Sequence, residues 1–387
     1  MSWADKVSYL VKYLFRPQRH AAPSVLERFQ AQASLKRALP SPAVAPAATL
    51  GFLGDLMWIR KNWARFLPPP TLDRLRRLDG LVGNLETVVS ERLPVKELWP
   101  DLIFFNADPR LVTSFRSTSG KNLFAALSFA NNHTLDHGDQ GARDTLAFLE
   151  REGIPQSGAA EPGGRRWVEF QRGGIRFGFY AATFGLNDQS LLQATALQLN
   201  HIPRMAPDDP ATEPDLSEAR RALAEMAEGG IETKILCLHW GHEFEFYPTD
   251  RQMRAARELV AAGADIIVGS HPHVPQPPEI LLVNDYAPAV ETAARVNGPG
   301  RARKAVVFYS LGNFASAMFT AYCRLATLWP VSFYRSDSGV EWRLENPEFF
   351  YNRSSGGGRE LMPLEEYALT QAESRKIERL LAPLRID

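Results

Sequence analysis

A layered α/β domain, with strands and helices in alternation, is the fold this sequence predicts, and three observations predict it. From residue 49 onward, short β-rich runs that end in polar residues are followed by helical stretches. The 387 residues are 45% hydrophobic, ample for a buried core. No apolar run approaches the ~18 residues that span a bilayer.

The N-terminal stretch MSWADKVSYLVKYLFRPQRH reads as an amphipathic helix. Trp3, Val7, Leu10, Val11 and Leu14 recur at helical spacing, with Lys6, Lys12 and Arg16 off that stripe. Asp5, Lys6 and Lys12 interrupt it, so it lacks the apolar stretch of a secretory signal. Pro23 and Ser24 open a second helix, with Ser24 and Glu27 at capping-box spacing, before a Pro/Ala-rich linker around 39–48. Residues 1–48 are therefore expected to form a basic helical arm, suited to a membrane surface, an acidic partner or its own domain. The expected location is cytoplasmic, at most peripheral to a membrane, with no signal peptide or transmembrane helix.

The predicted strands are TLGFLGD (49–55), GLVGNLE (80–86), NLFAALSFANNH (122–133), IRFGFYAAT (175–183), TKILCLHWG (233–241), ADIIVGSHPH (264–273) and AVVFYSLGNF (305–314). Helices are predicted over 139–153, 215–230 and 249–264, the first and third stopping near Gly153 and Gly263. Residues 284–304 read as an exposed insertion, 353–359 as a flexible loop, and 364–383 as a terminal helix. The organisation expected is an arm (1–48), a main domain (49–335) and a C-terminal extension (336–387).

Composition removes some functions. Lys+Arg and Asp+Glu each number 44, so no whole-molecule field draws in nucleic acid. Two cysteines, Cys237 and Cys323, exclude a disulfide scaffold and are expected to be buried thiols.

The informative pattern is where polar residues fall. Ligands of open α/β sheets bind beyond the carboxyl ends of strands. Here one strand after another ends in metal-competent or hydrogen-bonding side chains: Asp55, then Asn84 and Glu86, then Asn131, Asn132 and His133, then His239, then His271 and His273, then Asn313. Four of the eight histidines fall at these positions. Divalent cations need carboxylates, imidazoles and amide oxygens converging on one volume, and Asp55, Glu86, Asn132, His239, His271 and His273 supply that set. Oxygen and nitrogen donors without cysteine favour Mn, Zn or Fe over a structural thiolate zinc site. His133, next to a ligand Asn, is placed to protonate a leaving group. Asn84, Asn131, Asp136 and Asn313 are candidates to orient ligands or touch substrate.

The ordered blocks GDLM (54–57), NLET (84–87), ANNHTLDHG (130–138), HWGHEF (239–244), GADIIVGSHPHVPQPPE (263–279) and YSLGNF (309–314) resemble the CapA-type capsule poly-γ-glutamate biosynthesis proteins, a branch of the calcineurin-like metallophosphoesterase superfamily. The resemblance implies a four-layer αββα sandwich with a site for two divalent metal ions at the strand ends. It also implies that the same six residues are the ligands, with His133 in the acid position. One departure stands out: the superfamily commonly begins with Asp-x-His, whereas Asp55 is followed by Leu56 and Met57, so one histidine ligand is missing.

Together these readings predict a metal-dependent hydrolase in which a metal-bound hydroxide attacks a phosphoester or amide-type bond. Its expected partners are an acidic polymer or a phosphorylated small molecule. The same ligands would serve a non-catalytic, metal-binding component of a polyglutamate or capsule assembly machine, and the sequence leaves both readings open.

Overall fold

The computed structural model describes residues 44–59, 63–95, 104–203, 213–283, 291–292, 303–337, 339–356 and 358–381, with 10–15, 17, 21, 23–29 and 384 besides. Most of the predicted insertion at 284–304 and the start of the N-terminal helix lie outside these residues. Among the described residues no helix is long and apolar enough to cross a membrane.

Two sheets stack face to face. The first is built from β1 (Ala48–Leu56), β2 (Gly80–Leu85), β3 (Phe124–Ser128) and β4 (Gln156–Ser157), joined in parallel in that order. The second uses β5 (Trp167–Arg172), β6 (Ile175–Thr183), β7 (Thr233–His239), β8 (Ile266–Ser270), β9 (Glu279–Val283) and β10 (Arg303–Phe308). Its central strands β6, β7, β8 and β10 are parallel. A short strand, Asn313–Ala315 (β11), returns to the first sheet and pairs with the end of β1.

Period-two alternation assigns the faces. Phe177, Phe179 and Ala181 of β6 point between the sheets with Ile235 and Cys237 of β7, meeting Leu50, Phe52, Val82 and Ala126 from the first sheet. The intervening Tyr180, Ala182, Leu236 and Leu238 point outward against helices α3 (Ser217–Glu228) and α4 (Asp250–Ala261). On the other outer face, Leu53, Leu81, Leu85 and Leu127 pack with α1 (Pro69–Leu75) and α2 (Gly138–Arg151). The layers are thus αββα, as the resemblance implied. Gly153 and Gly263 end α2 and α4 with φ of +67° and +118°. In each case the next two N–H groups bond back in a Schellman pattern, Gly263 to Val260 O (3.0 Å) and Ala264 to Leu259 O (3.0 Å) for the second.

Residues 336–387, expected as an extension with a terminal helix, also contribute strands. β12 (Leu325–Ser336) lies antiparallel beside β1, followed by β13 (Gly339–Leu344), β14 (Glu348–Ser355) and β15 (Gly358–Pro363) in the same sheet. The expectation of a flexible loop at 353–359 is corrected by this hairpin: Arg353 pairs with Glu360 and Ser355 with Gly358, and Gly356 enters its turn with a φ of +53°. The terminal helix α5 is shorter than expected, Gln371–Leu381, because 364–366 form a separate 3₁₀ turn.

Two helical segments of the arm, 10–14 and 23–29, pack on the domain. Tyr13 and Val25 are each 3% exposed. In the second segment both Pro23, whose fixed φ suits the first turn of a helix, and Ser24 are helical.

Candidate metal centre

Every residue singled out from the sequence arrives at one end of the two sheets. Asp55 sits between Asn84 of β2 and Asn313 of β11 in the ladder. Gly54 explains how it gets there: a Cβ at that position would lie 1.8 Å from Gly312 O, so glycine alone permits the approach. The Asp55 N–H then donates to Gly312 O (2.8 Å). Asn84 Nδ2 donates to Asp55 Oδ1 (2.9 Å), and Asn131 Nδ2 donates to Asn84 Oδ1 (3.3 Å) and to Leu85 O (2.8 Å). This amide chain fixes the first three strand ends against one another.

His239, ending β7, has Nε2 at 2.8 Å from Asn132 Oδ1 and 3.6 Å from Glu86 Oε1, with Nδ1 at 3.0 Å from Ser270 Oγ. His271 and His273 flank Pro272 just after β8. His273 Nδ1 is 3.0 Å from Asn313 Oδ1 and 3.4 Å from Asp55 Oδ2, while its Nε2 is 3.9 Å from Glu86 Oε1 and 3.8 Å from Glu243 Oε1. Asn313 Nδ2 is itself held by Cys323 O (3.1 Å). The non-glycine residues with positive φ among those described are Phe244 (+62°), His271 (+96°) and His273 (+58°), all at this site. Left-handed backbone in bulky residues stores strain, and here it turns two imidazoles inward from one tripeptide.

A second cluster adjoins the first. His133 Nδ1 lies 2.6 Å from Asp136 Oδ2, and the ring stacks on Phe105 with centroids 4.2 Å apart. Asn187, just beyond β6, joins the two: its Oδ1 accepts from Asn132 Nδ2 (2.8 Å), and its Nδ2 donates to Asp136 Oδ1 (3.2 Å). The sequence reading gave no role to Asn187 or to Glu243. The signal available was their position, one polar residue past a predicted strand and one inside the HWGHEF block.

Two overlapping groups, Glu86 with His271 and His273, and Asp55 with Glu86 and His239, hold their ligand atoms within 4.8 Å of one another, and all are buried. Neither carboxylate oxygen of Glu86 nor Nδ1 of His271 has a hydrogen-bond partner among the described residues, although these atoms are buried. Orphaned buried polar atoms are costly and rare. Burial, then the Asp55 carboxylate, pushes the Glu86 carboxyl well above its usual range. Burial, then His271 and His273, holds His239 well below its ordinary value. His271 is pushed down to about 4, mainly by burial. For His273 burial acts downward, but Glu86, Asp55 and Glu243 hold it well above. A divalent cation would satisfy the orphaned atoms and let the Glu86 carboxyl ionise, so the residues fit one. Cys237 and Cys323 are buried and free, away from any disulfide, as expected.

Comparisons with known proteins agree with this picture. Residues 49–318 match the family model described as bacterial capsule synthesis protein PGA_cap. The PGA biosynthesis protein CapA of Bacillus subtilis (strain 168) is 31% identical over 246 residues, covering 62% of this chain and 53% of that protein. The capsule biosynthesis protein CapA of Bacillus anthracis is 29% identical over 194 residues, covering 49% of this chain and 40% of that one. The matched regions thus span about half or less of the length of these relatives. Among solved structures, the calcineurin-like phosphoesterase YfkN from Bacillus subtilis is similar with a TM-score of 0.43 and 14% identity, over 86% of this chain and 96% of that one. With the family model covering residues 49–318, most of the chain, this protein belongs to the PGA_cap family of bacterial capsule synthesis proteins.

Proposed function

We propose that this chain is a metal-dependent hydrolase of phosphoester or amide-type bonds acting in capsule or polyglutamate biosynthesis. The observation that carries the reading is Glu86: a fully buried carboxylate with no hydrogen-bond donor among the described residues, shared by both clusters of ligand atoms. A carboxylate placed in two such groups suits a bridge between two divalent ions, and the oxygen and nitrogen donors suit Mn, Zn or Fe. Asp55, Glu86, Asn132, His239, His271 and His273 are the ligands in this reading. Bound cations would supply a water nucleophile at neutral pH and offset the charge that builds on the scissile group.

The chain's own residues do the rest. His133 Nδ1 faces Asp136 Oδ2, which fixes the ring; in the doubly protonated imidazolium that carboxylate holds Nδ1–H, and Nε2–H is the proton that would pass to the departing oxygen or nitrogen as its bond breaks. Asn84 and Asn131 hold Asp55 and the loop after β3 in place. An acidic polymer fits the names of the relatives, and a phosphorylated small molecule would also suit the electrophilic character of such a site.

The test is turnover of bis(p-nitrophenyl) phosphate and of a γ-glutamyl anilide by manganese-loaded protein, with and without chelator, beside Glu86→Gln. Hydrolysis of one substrate class, lost with chelator and in the variant, is expected. Metal uptake without turnover of either class would favour a non-catalytic holding role in polymer assembly instead.

A further inference from the structure

Met57, two residues beyond Asp55, brings no imidazole where the superfamily resemblance would place one. Met57 is buried and its N–H donates to Ala315 O (2.9 Å). The geometry points to Glu243 as a further donor: its carboxylate completes the ligand set of the ion that Glu86, His271 and His273 would hold. This rests on the metal-centre reading above and adds to it a seventh ligand, from the loop that follows His239.

Three observations carry it. Glu243 Oε1 lies 3.8 Å from His273 Nε2, nearly the same separation as Glu86 Oε1 from that nitrogen, 3.9 Å. Two donors each about 2.1 Å from one ion are at most about 4.2 Å apart, so both spacings suit a shared cation. His273 Nδ1 already faces Asn313 Oδ1 at 3.0 Å, which leaves Nε2 as its ligand atom on the side of both carboxylates. Next, no Lys or Arg pairs with Glu243 among the described residues, and its ion-pair partner there is His273. Its side chain is nevertheless only 22% exposed. A carboxylate so enclosed, facing an imidazole and no Lys or Arg, is one that a cation would satisfy.

Finally, the loop is fastened so that Glu243 stays there. The Phe244 N–H donates to Pro272 O (2.9 Å), tying it to the His271–Pro272–His273 turn. Gln276 Nε2 donates to Glu245 O (2.7 Å), Lys12 pairs with Glu245 (3.1 Å), and Tyr13 packs its ring 5.0 Å from Phe244. The positive φ of Phe244 turns its ring into this packing and leaves Glu243 at the imidazole.

The test is calorimetric titration of the full metal-free chain with Mn²⁺ alone, comparing wild type, Glu243→Gln and Glu243→His, with unfolding temperatures confirming that each is folded. The inference expects two binding events in wild type, one of them weakened by on the order of tenfold or more in Glu243→Gln with the other unchanged, and recovery of the second event in Glu243→His. Unchanged binding of both ions by folded Glu243→Gln would overturn the role of Glu243 while leaving the metal centre standing. A wild type that binds no Mn²⁺ would overturn the metal centre and this inference together.

Discussion

His133 Nδ1 and Asp136 Oδ2 stand 2.6 Å apart across one turn of the loop after β3, with both side chains almost wholly buried. Asp136 also accepts from the Phe105 N–H (2.7 Å), so the carboxylate is fixed before it fixes the ring. If His133 is the proton donor, Asp136→Asn should lower kcat by about a hundredfold while KM and metal content stay within about twofold. Steady-state hydrolysis and elemental analysis on the same samples measure both. A parallel fall in metal content would place Asp136 in support of the ligands and not of the acid.

The metal-free protein should carry the mark of a buried neutral histidine. His271 is pushed down to about 4 by burial, with Glu243 and Asp55 opposing and His273 and His133 reinforcing. The unfolded chain takes up that proton below about 6.5, so the stabilisation is present above that pH and is lost as pH falls toward about 4. The loss through this residue is about 3 kcal/mol at most. In EDTA, unfolding free energy should therefore drop more between about pH 7 and about pH 4.5 in wild type than in His271→Asn. Equal drops would mean that the folded protein carries this ring charged.

Glu279, at the end of the family's longest block, is fully buried beneath Arg257 Nη2 (2.8 Å), the Tyr309 hydroxyl (2.6 Å to Oε2) and, from the arm, Arg28 Nε (3.8 Å). Removing the close partner strands a buried charge. Arg257→Met should cost about 3–5 kcal/mol. Arg28, more distant and partly exposed, should cost less than about 1 kcal/mol as alanine. Denaturant titration separates the two, and equal costs would show that the arm contact holds Glu279 as strongly as Arg257 does.

Much of the site was legible because its residues end strands. Alternating apolar runs located β1, β2, β3, β6, β7, β8 and β10, and a polar residue at the end of a parallel strand can only face the sheet's carboxyl edge. Asn187 and Glu243 were not legible because their places depend on which strands are neighbours. Asn187 reaches Asn132 only because the two sheets stack, and Glu243 reaches His273 only because the Phe244 N–H bonds Pro272 O across two loops. The strands after residue 325 were missed for another reason. β12 runs through LATLWPVSFY with buried residues on both faces and a proline within it, so period two is hidden.

The most direct test of the central claim is elemental analysis of purified wild type beside His271→Ala/His273→Ala, with phosphodiester hydrolysis assayed on the same samples. The account predicts about two divalent ions per chain in wild type, with both the ions and turnover lost in the variant. Wild-type protein that holds no metal as purified, and none after reconstitution with manganese, zinc or iron, would contradict it.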